Sequence, residues 1–163
     1  MESEHVRGVR QHKADVAARL HTIANELVQD LSMREDLLRR AEIHDDSKFS
    51  EEEMGPFERE TPLLKELVYG TPEYQESLGR LKPALDHHYA VNDHHPQYHK
   101  KGVSGMNTAQ KIEMACDWDA SVSRQKSGDI YKGLEINRSR FNLSDQQFSE
   151  LKGYIDFLKE RGF

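Results

Sequence analysis

Residues 5–27 read HVRGVRQHKADVAARLHTIANEL, and the period of that run decides the architecture. His5, Val9, His12, Val16, Leu20, Ile23 and Leu27 follow one another at steps of three or four, which traces one face of a long helix. Two histidines therefore lie on the apolar stripe that a helix turns toward its neighbours, while His21 falls off it and is expected in solvent.

The helical period recurs along the rest of the chain. Ser32 followed by Glu35 is a capping-box pattern, and Leu37, Ala41 and His44 then share a face, so a second helix should end at the His44-Asp45 pair. Ser50 with Glu53 repeats the signal and predicts a short helix over 50–59, interrupted by Pro62 and a turn at Tyr69-Gly70. Thr71-Pro72 reads as an N-cap with proline in the first turn, followed by Tyr74, Leu78, Leu81, Leu85 and His88 on one face, with Pro83 as a point of kinking or restart. That phase selects His88 over His87. Residues 90–106, with Asn92, Asp93, Pro96, Gly102 and Gly105, read as a loop and as the rim of an active site. Thr108 caps a helix running through 112–123, and further helices are expected over 129–141 and 145–161, the last capped by Ser144. With no alternating strand, repeat or low-complexity tract, the expectation is an all-α protein of about six or seven helices forming a single domain over 1–163.

Composition narrows the setting. A chain of 163 residues can bury a core without staples, and its lone cysteine, Cys116, has no internal disulfide partner, which favours a reducing compartment. The charged N-terminus and the absence of any run of ~18 apolar residues argue against secretion and membrane insertion, so a cytoplasmic protein is expected. A formal charge of −6 disfavours a stable nucleic-acid complex, yet leaves small anionic substrates open wherever a metal cation reverses the local field. The apolar face of the last helix, Phe148, Leu151, Ile155 and Leu158, can pack internally or form a homodimer interface.

A divalent ion that promotes phosphate-ester hydrolysis takes neutral imidazoles and carboxylates and keeps positions open for water and substrate. His5, His44, Asp45 and Asp117 can supply such a set from three separated helices. The runs HVRGV (5–9), LLRRAEIHDDSKF (37–49) and MACDWDAS (114–121) resemble the H…HD…D signature of the HD-domain superfamily, all-helical metal-dependent phosphohydrolases that mostly act on nucleotides. Lys48 sits three residues after Asp45, as in the HD-x-G-K form, although Ser47 replaces the glycine. The stretch LDHHYAVNDHHPQYHKKGV (85–103) resembles the paired-histidine segment of members that hold two metals, without the Gly-Tyr-Pro triplet of the cyclic-dinucleotide branch. Over residues 5–148 the arrangement is also similar to a small family of HD-like proteins encoded mainly by bacteriophages, which would set the protein in a host-cell cytoplasm.

The resemblance implies roles. His5, His44, Asp45 and Asp117 would hold one ion, which could be manganese, cobalt, zinc, magnesium or iron, and His88 with His94 or His95 a second, bridged by Asp45. His5 is preferred to His12 because HVRGV fits the family's first-histidine pattern; Asp117 is preferred to Asp119 on the same ground, whereas helical phase from Ile112 and Cys116 permits Asp119. Lys48 would contact phosphate, Glu52 or Glu53 would assist proton transfer, and Tyr89, Asn92, His95 and Trp118 are nearby candidates for holding a nucleotide. The expected activity is removal of a 5′-phosphate or triphosphate, or cleavage of a signalling nucleotide. Two alternatives stand beside it: a mixed-valent di-iron oxygenase on a related scaffold, whose HD-x-G-K lysine Lys48 resembles, and a non-catalytic metal-stabilised module that binds a nucleotide or inhibits a host protein.

Overall fold

A computed structural model describes residues 2–68, 70–125 and 127–163. Among them the regular structure is entirely helical: α1 (Glu4–Glu26), α2 (Leu31–Ile43), α3 (Glu51–Glu66), α4 (Pro72–Val91), α5 (Thr108–Ser123), α6 (Ile130–Arg140) and α7 (Asp145–Glu160), with 3₁₀ turns at Asp46–Phe49, Pro96–Tyr98 and Gly102–Gly105. No helix among the described residues is long and apolar enough to cross a membrane.

Backbone contacts divide the chain into two units, residues 2–11 with 45–92 and residues 12–44 with 93–163. The first contains the opening turns of α1, the 3₁₀ turn Asp46–Phe49, α3 and α4. Buried polar groups stitch α3 to α4: Glu60 accepts from Ser77 Oγ at 2.8 Å and Arg80 Nε at 2.9 Å, while Glu53 meets His87 and His88. The pairings descend one helix as they climb the other, so the two run antiparallel.

The second unit holds the rest of α1 with α2, α5, α6 and α7. Val16, Leu20 and Ile23 from the α1 stripe meet Leu37 and Ala41 of α2, Ile112 and Cys116 of α5 and Leu158 of α7 in one apolar cluster. Met114 and Ala115, on another side of α5, join Ile130, Leu134, Leu151 and Ile155 in a second. Full burial of each such Leu or Ile contributes about 1.5–3 kcal/mol. Because α5 is enclosed on several sides, its polar residues Glu113, Asp117 and Asp119 are carried into the interior too.

Several helix ends differ from expectation for local reasons. Asp30, not Ser32, caps α2, accepting from Met33 N at 2.7 Å, which leaves Ser32 inside the first turn. Asn107 and Gln110 form the capping box of α5, so Thr108 is its first residue rather than its cap. α3 does not stop near Arg59 but continues through Pro56 and Pro62 to Glu66. Each proline forfeits one bond to the carbonyl four residues back, but Glu52 and Glu58 are exposed and water can serve those carbonyls. α4 likewise passes through Pro83. Of the expected Tyr69-Gly70 turn, Tyr69 lies outside the described residues, while Gly70 has φ +82°.

Candidate metal centre

In the second unit the α1 stripe delivers His12, the C-cap of α2 delivers His44, the segment after α4 delivers His94, and α5 delivers Asp117. All four are buried. The Asp117 carboxylate lies 2.9 Å from His12 Nε2, 3.9 Å from His44 Nε2 and 3.8 Å from His94 Nε2. One donor atom from each of His12, His44 and Asp117 falls within 4.8 Å of the others. Donors about 2.0–2.2 Å from a common ion stand roughly 3–4 Å apart, so these nitrogens and carboxylate could hold a metal ion.

Behind these groups stands a second layer of charge. Glu113 Oε1 accepts a hydrogen bond from His44 Nδ1 at 2.7 Å and lies 3.3 Å from His94 Nδ1, while Glu113 Oε2 accepts from Arg40 Nη1 at 2.8 Å. The Arg40 fork also donates to both oxygens of Asp93, at 2.7 and 3.1 Å, and to Asp36 at 3.1 Å. Burial opposes the Arg40 charge, but hydrogen bonds to Asp93 and Glu113 outweigh it and raise its pKa further. Burial likewise opposes the Asp93 charge, yet bonds from Arg40 and Gln110 bring its carboxyl down to about 2.

The first unit has its own polar cluster. Asp45, at φ +55° before the 3₁₀ turn, is buried and holds Lys48 Nζ at 2.7 Å through Oδ2; its Oδ1 lies 3.5 Å from His88 Nε2. Glu53, fully buried, accepts from His88 Nδ1 at 2.9 Å through one oxygen and from His87 Nδ1 at 2.8 Å through the other. Burial lowers the His88 pKa, the Asp45 charge raises it and the Lys48 charge lowers it again, with a net fall that favours neutral imidazole. Asn92 Nδ2 donates to Ser47 Oγ at 2.7 Å and to the His88 carbonyl at 2.8 Å, fixing the end of α4.

Residues 1–157 match the model of a family described as a family of unknown function, DUF5662. The chain belongs to that family. No curated protein and no solved structure matches it.

In this DUF5662 member, His44, His94 and Asp117 come together with His12. His5 belongs to the first unit, where its ring stacks on Phe57 at 6.1 Å between centroids. Asp45, Lys48 and His88 gather in that unit as well, with Tyr89 half-buried and its ring edge-on to His88. Asp119 is taken up in a buried ion cluster with Arg19 at 2.8 Å and Lys159 at 2.6 Å. Glu52 is exposed in the first turn of α3, where its own backbone N–H holds its carboxyl below the usual range, so the glutamate beside the histidines is Glu53. His95 is half-buried with its ring 4.2 Å from that of His94, and Trp118 stacks on Phe141 at the edge of the second apolar cluster. Sequence reasoning missed Glu113 and Arg40. Each is readable in hindsight, because Arg40 precedes His44, and Glu113 precedes Asp117, by the four residues that place two side chains on one helix face.

Proposed function

We propose that this chain is a divalent-metal-dependent phosphohydrolase acting on a nucleotide. The observation that carries the reading is the convergence of the His12, His44 and His94 Nε2 atoms on the Asp117 carboxylate, with the His44 Nδ1–H held by Glu113. Such a site, when it binds an ion, gains Lewis acidity toward a phosphoryl oxygen and a means of acidifying water. The chain's own residues do the rest: His44 and His94 would present Nε2 lone pairs, and His12 Nε2, at hydrogen-bond distance from Asp117 without an ion, would do so on giving up its proton. Asp117 supplies negative charge, and Arg40 keeps Glu113 compensated so that the buried carboxylate does not stand alone. In the first unit Lys48 offers a compact cation suited to phosphate and Asp45 a carboxylate that holds it in place. The resemblance of the chain's H…HD…D order to the HD-domain superfamily supports hydrolysis of a nucleotide phosphate.

Phosphate release from mono-, tri- and cyclic nucleotides, assayed with manganese, cobalt, zinc, magnesium or iron, tests the proposal. Turnover is expected, and His44→Ala and Asp117→Ala should abolish it while far-UV circular dichroism stays helical. No release from any nucleotide with any of these ions overturns the reading. Two bound irons with oxygen consumption would replace it with an oxygenase, and tight nucleotide binding without product with a binding module.

A further inference from the structure

Glu113 is a buried carboxylate outside the proposed ligand set, and its two oxygens face different partners. Oε1 sits 2.7 Å from His44 Nδ1 and 3.3 Å from His94 Nδ1, and Oε2 takes the Arg40 guanidinium at 2.8 Å. His44, His94 and Glu113 also satisfy the spacing of a metal-ligand group by themselves. Two features argue against an ion on that side. At 2.7 Å His44 and Glu113 stand at hydrogen-bond length, closer than any of the imidazole-to-Asp117 separations of the proposed ligand set. A dication there would also share Glu113 with the buried Arg40 charge.

Geometry therefore gives Glu113 a different task. A carboxylate only accepts, so the His44 Nδ1 must carry the proton, and a neutral imidazole protonated there has its lone pair on Nε2, the atom that faces Asp117. We propose that Glu113 is a positioning residue of the metal centre, setting the tautomer and ring orientation of His44 and drawing the His94 Nδ1 toward the same oxygen. This inference rests on the metal-centre reading above and adds a residue that the ligand set does not include. Arg40 keeps the brace in place, since its fork is anchored by Asp93 and Asp36 while one arm neutralises Glu113. The first unit repeats the device: Glu53, equally buried, accepts from the Nδ1 atoms of His87 and His88, leaving His88 Nε2 directed at Asp45. A buried glutamate behind a pair of imidazoles thus occurs in both units, which is the pattern expected of an outer layer that orients ligands.

Zinc affinity by isothermal titration calorimetry, read beside the His44 imidazole tautomer by nitrogen-detected NMR of the ion-free protein, tests the assignment. In the unaltered protein His44 should carry its proton on Nδ1. Glu113→Gln, which keeps the side-chain shape but loses the double acceptor, should release that tautomer and weaken zinc binding by about 10–100-fold with helical content preserved. A His44 proton found on Nε2 in the unaltered protein overturns the proposal whether or not the variant folds. So does a loss of affinity smaller than about tenfold. If the unaltered protein binds neither zinc nor manganese, the metal-centre reading falls and this proposal with it; if it binds and Glu113→Gln binds equally well, only the brace falls.

Discussion

His5 and His12 show how far one residue can be read from a sequence. They lie seven residues apart, close to two full helical turns, so both occupy the same stripe and phase cannot separate them. Tertiary packing does: His12 Nε2 is 2.9 Å from Asp117, whereas His5 stacks on Phe57, with its Nε2 buried and without a hydrogen-bond partner among the described residues. Burial lowers the His5 pKa, the Glu58 charge raises it and the Lys48 charge lowers it. Asp117 and Asp119 pose the opposite problem. They point to different sides of α5, but that helix is buried on several sides, so no exposed face marks which aspartate is structural. The expected outcome is that His12→Ala weakens manganese or zinc binding by at least about tenfold while His5→Ala leaves it unchanged, as measured by calorimetric titration. Loss of binding in His5→Ala alone would restore the set drawn from the first-histidine motif.

At the scale of elements, helical periodicity made α1 and α7 legible to within a few residues, because each buries one apolar stripe, whereas α4 turns the partly polar face Ser77, Leu81, Ala84 and His88 inward. What it missed was α3. Its prolines signal an end, yet the helix continues while Glu60, beyond Pro56 near the middle of α3, bonds Ser77 and Arg80 of α4, a long-range tie that local propensity does not contain. Hydrogen bonds from Arg80 and Ser77 hold the Glu60 carboxyl below its ordinary pKa, against the opposing effect of burial. A depressed folded-state value stabilises the protein above the unfolded carboxylate's value of about 4.3, and that gain is lost as pH falls through the folded value. Glu60→Gln should therefore lower Tm at neutral pH, with the difference from the unaltered protein shrinking as pH is taken below about 4. Equal Tm values at neutral pH would mean that the tie contributes nothing. The connection from α5 to α6 gives a second prediction. A Cβ on Gly128 would lie 2.1 Å from the Val122 carbonyl oxygen, so Gly128→Ala must displace backbone and should cost about 1–3 kcal/mol in urea unfolding.

On the scale of the whole molecule, the all-helical class was legible, whereas the points at which backbone contacts regroup the chain were not. The chain passes from one unit to the other inside α1 between Gln11 and His12, again between His44 and Asp45, and again between Asn92 and Asp93. None of these points is a linker rich in glycine, proline or serine, and one falls within an unbroken helix, so composition carries no mark of them. The second crossing falls within the HD pair, grouping His44 with Asp117 and Asp45 with His88. Each unit consequently has its own imidazole and carboxylate donors, and thermal stability can tell which set an ion uses. His12, His44, His94 and Asp117 come from four separated stretches that meet only in the folded state, so an ion bound there stabilises the native protein and not the unfolded chain. At 100 times the dissociation constant the gain is about 2.7 kcal/mol, enough for a rise in Tm of several degrees that a chelator reverses. Asp117→Asn should remove most of this rise and His88→Ala should retain it. The reverse pattern, with the rise surviving Asp117→Asn but lost in His88→Ala, would move the principal ion to the carboxylates and imidazoles of the first unit.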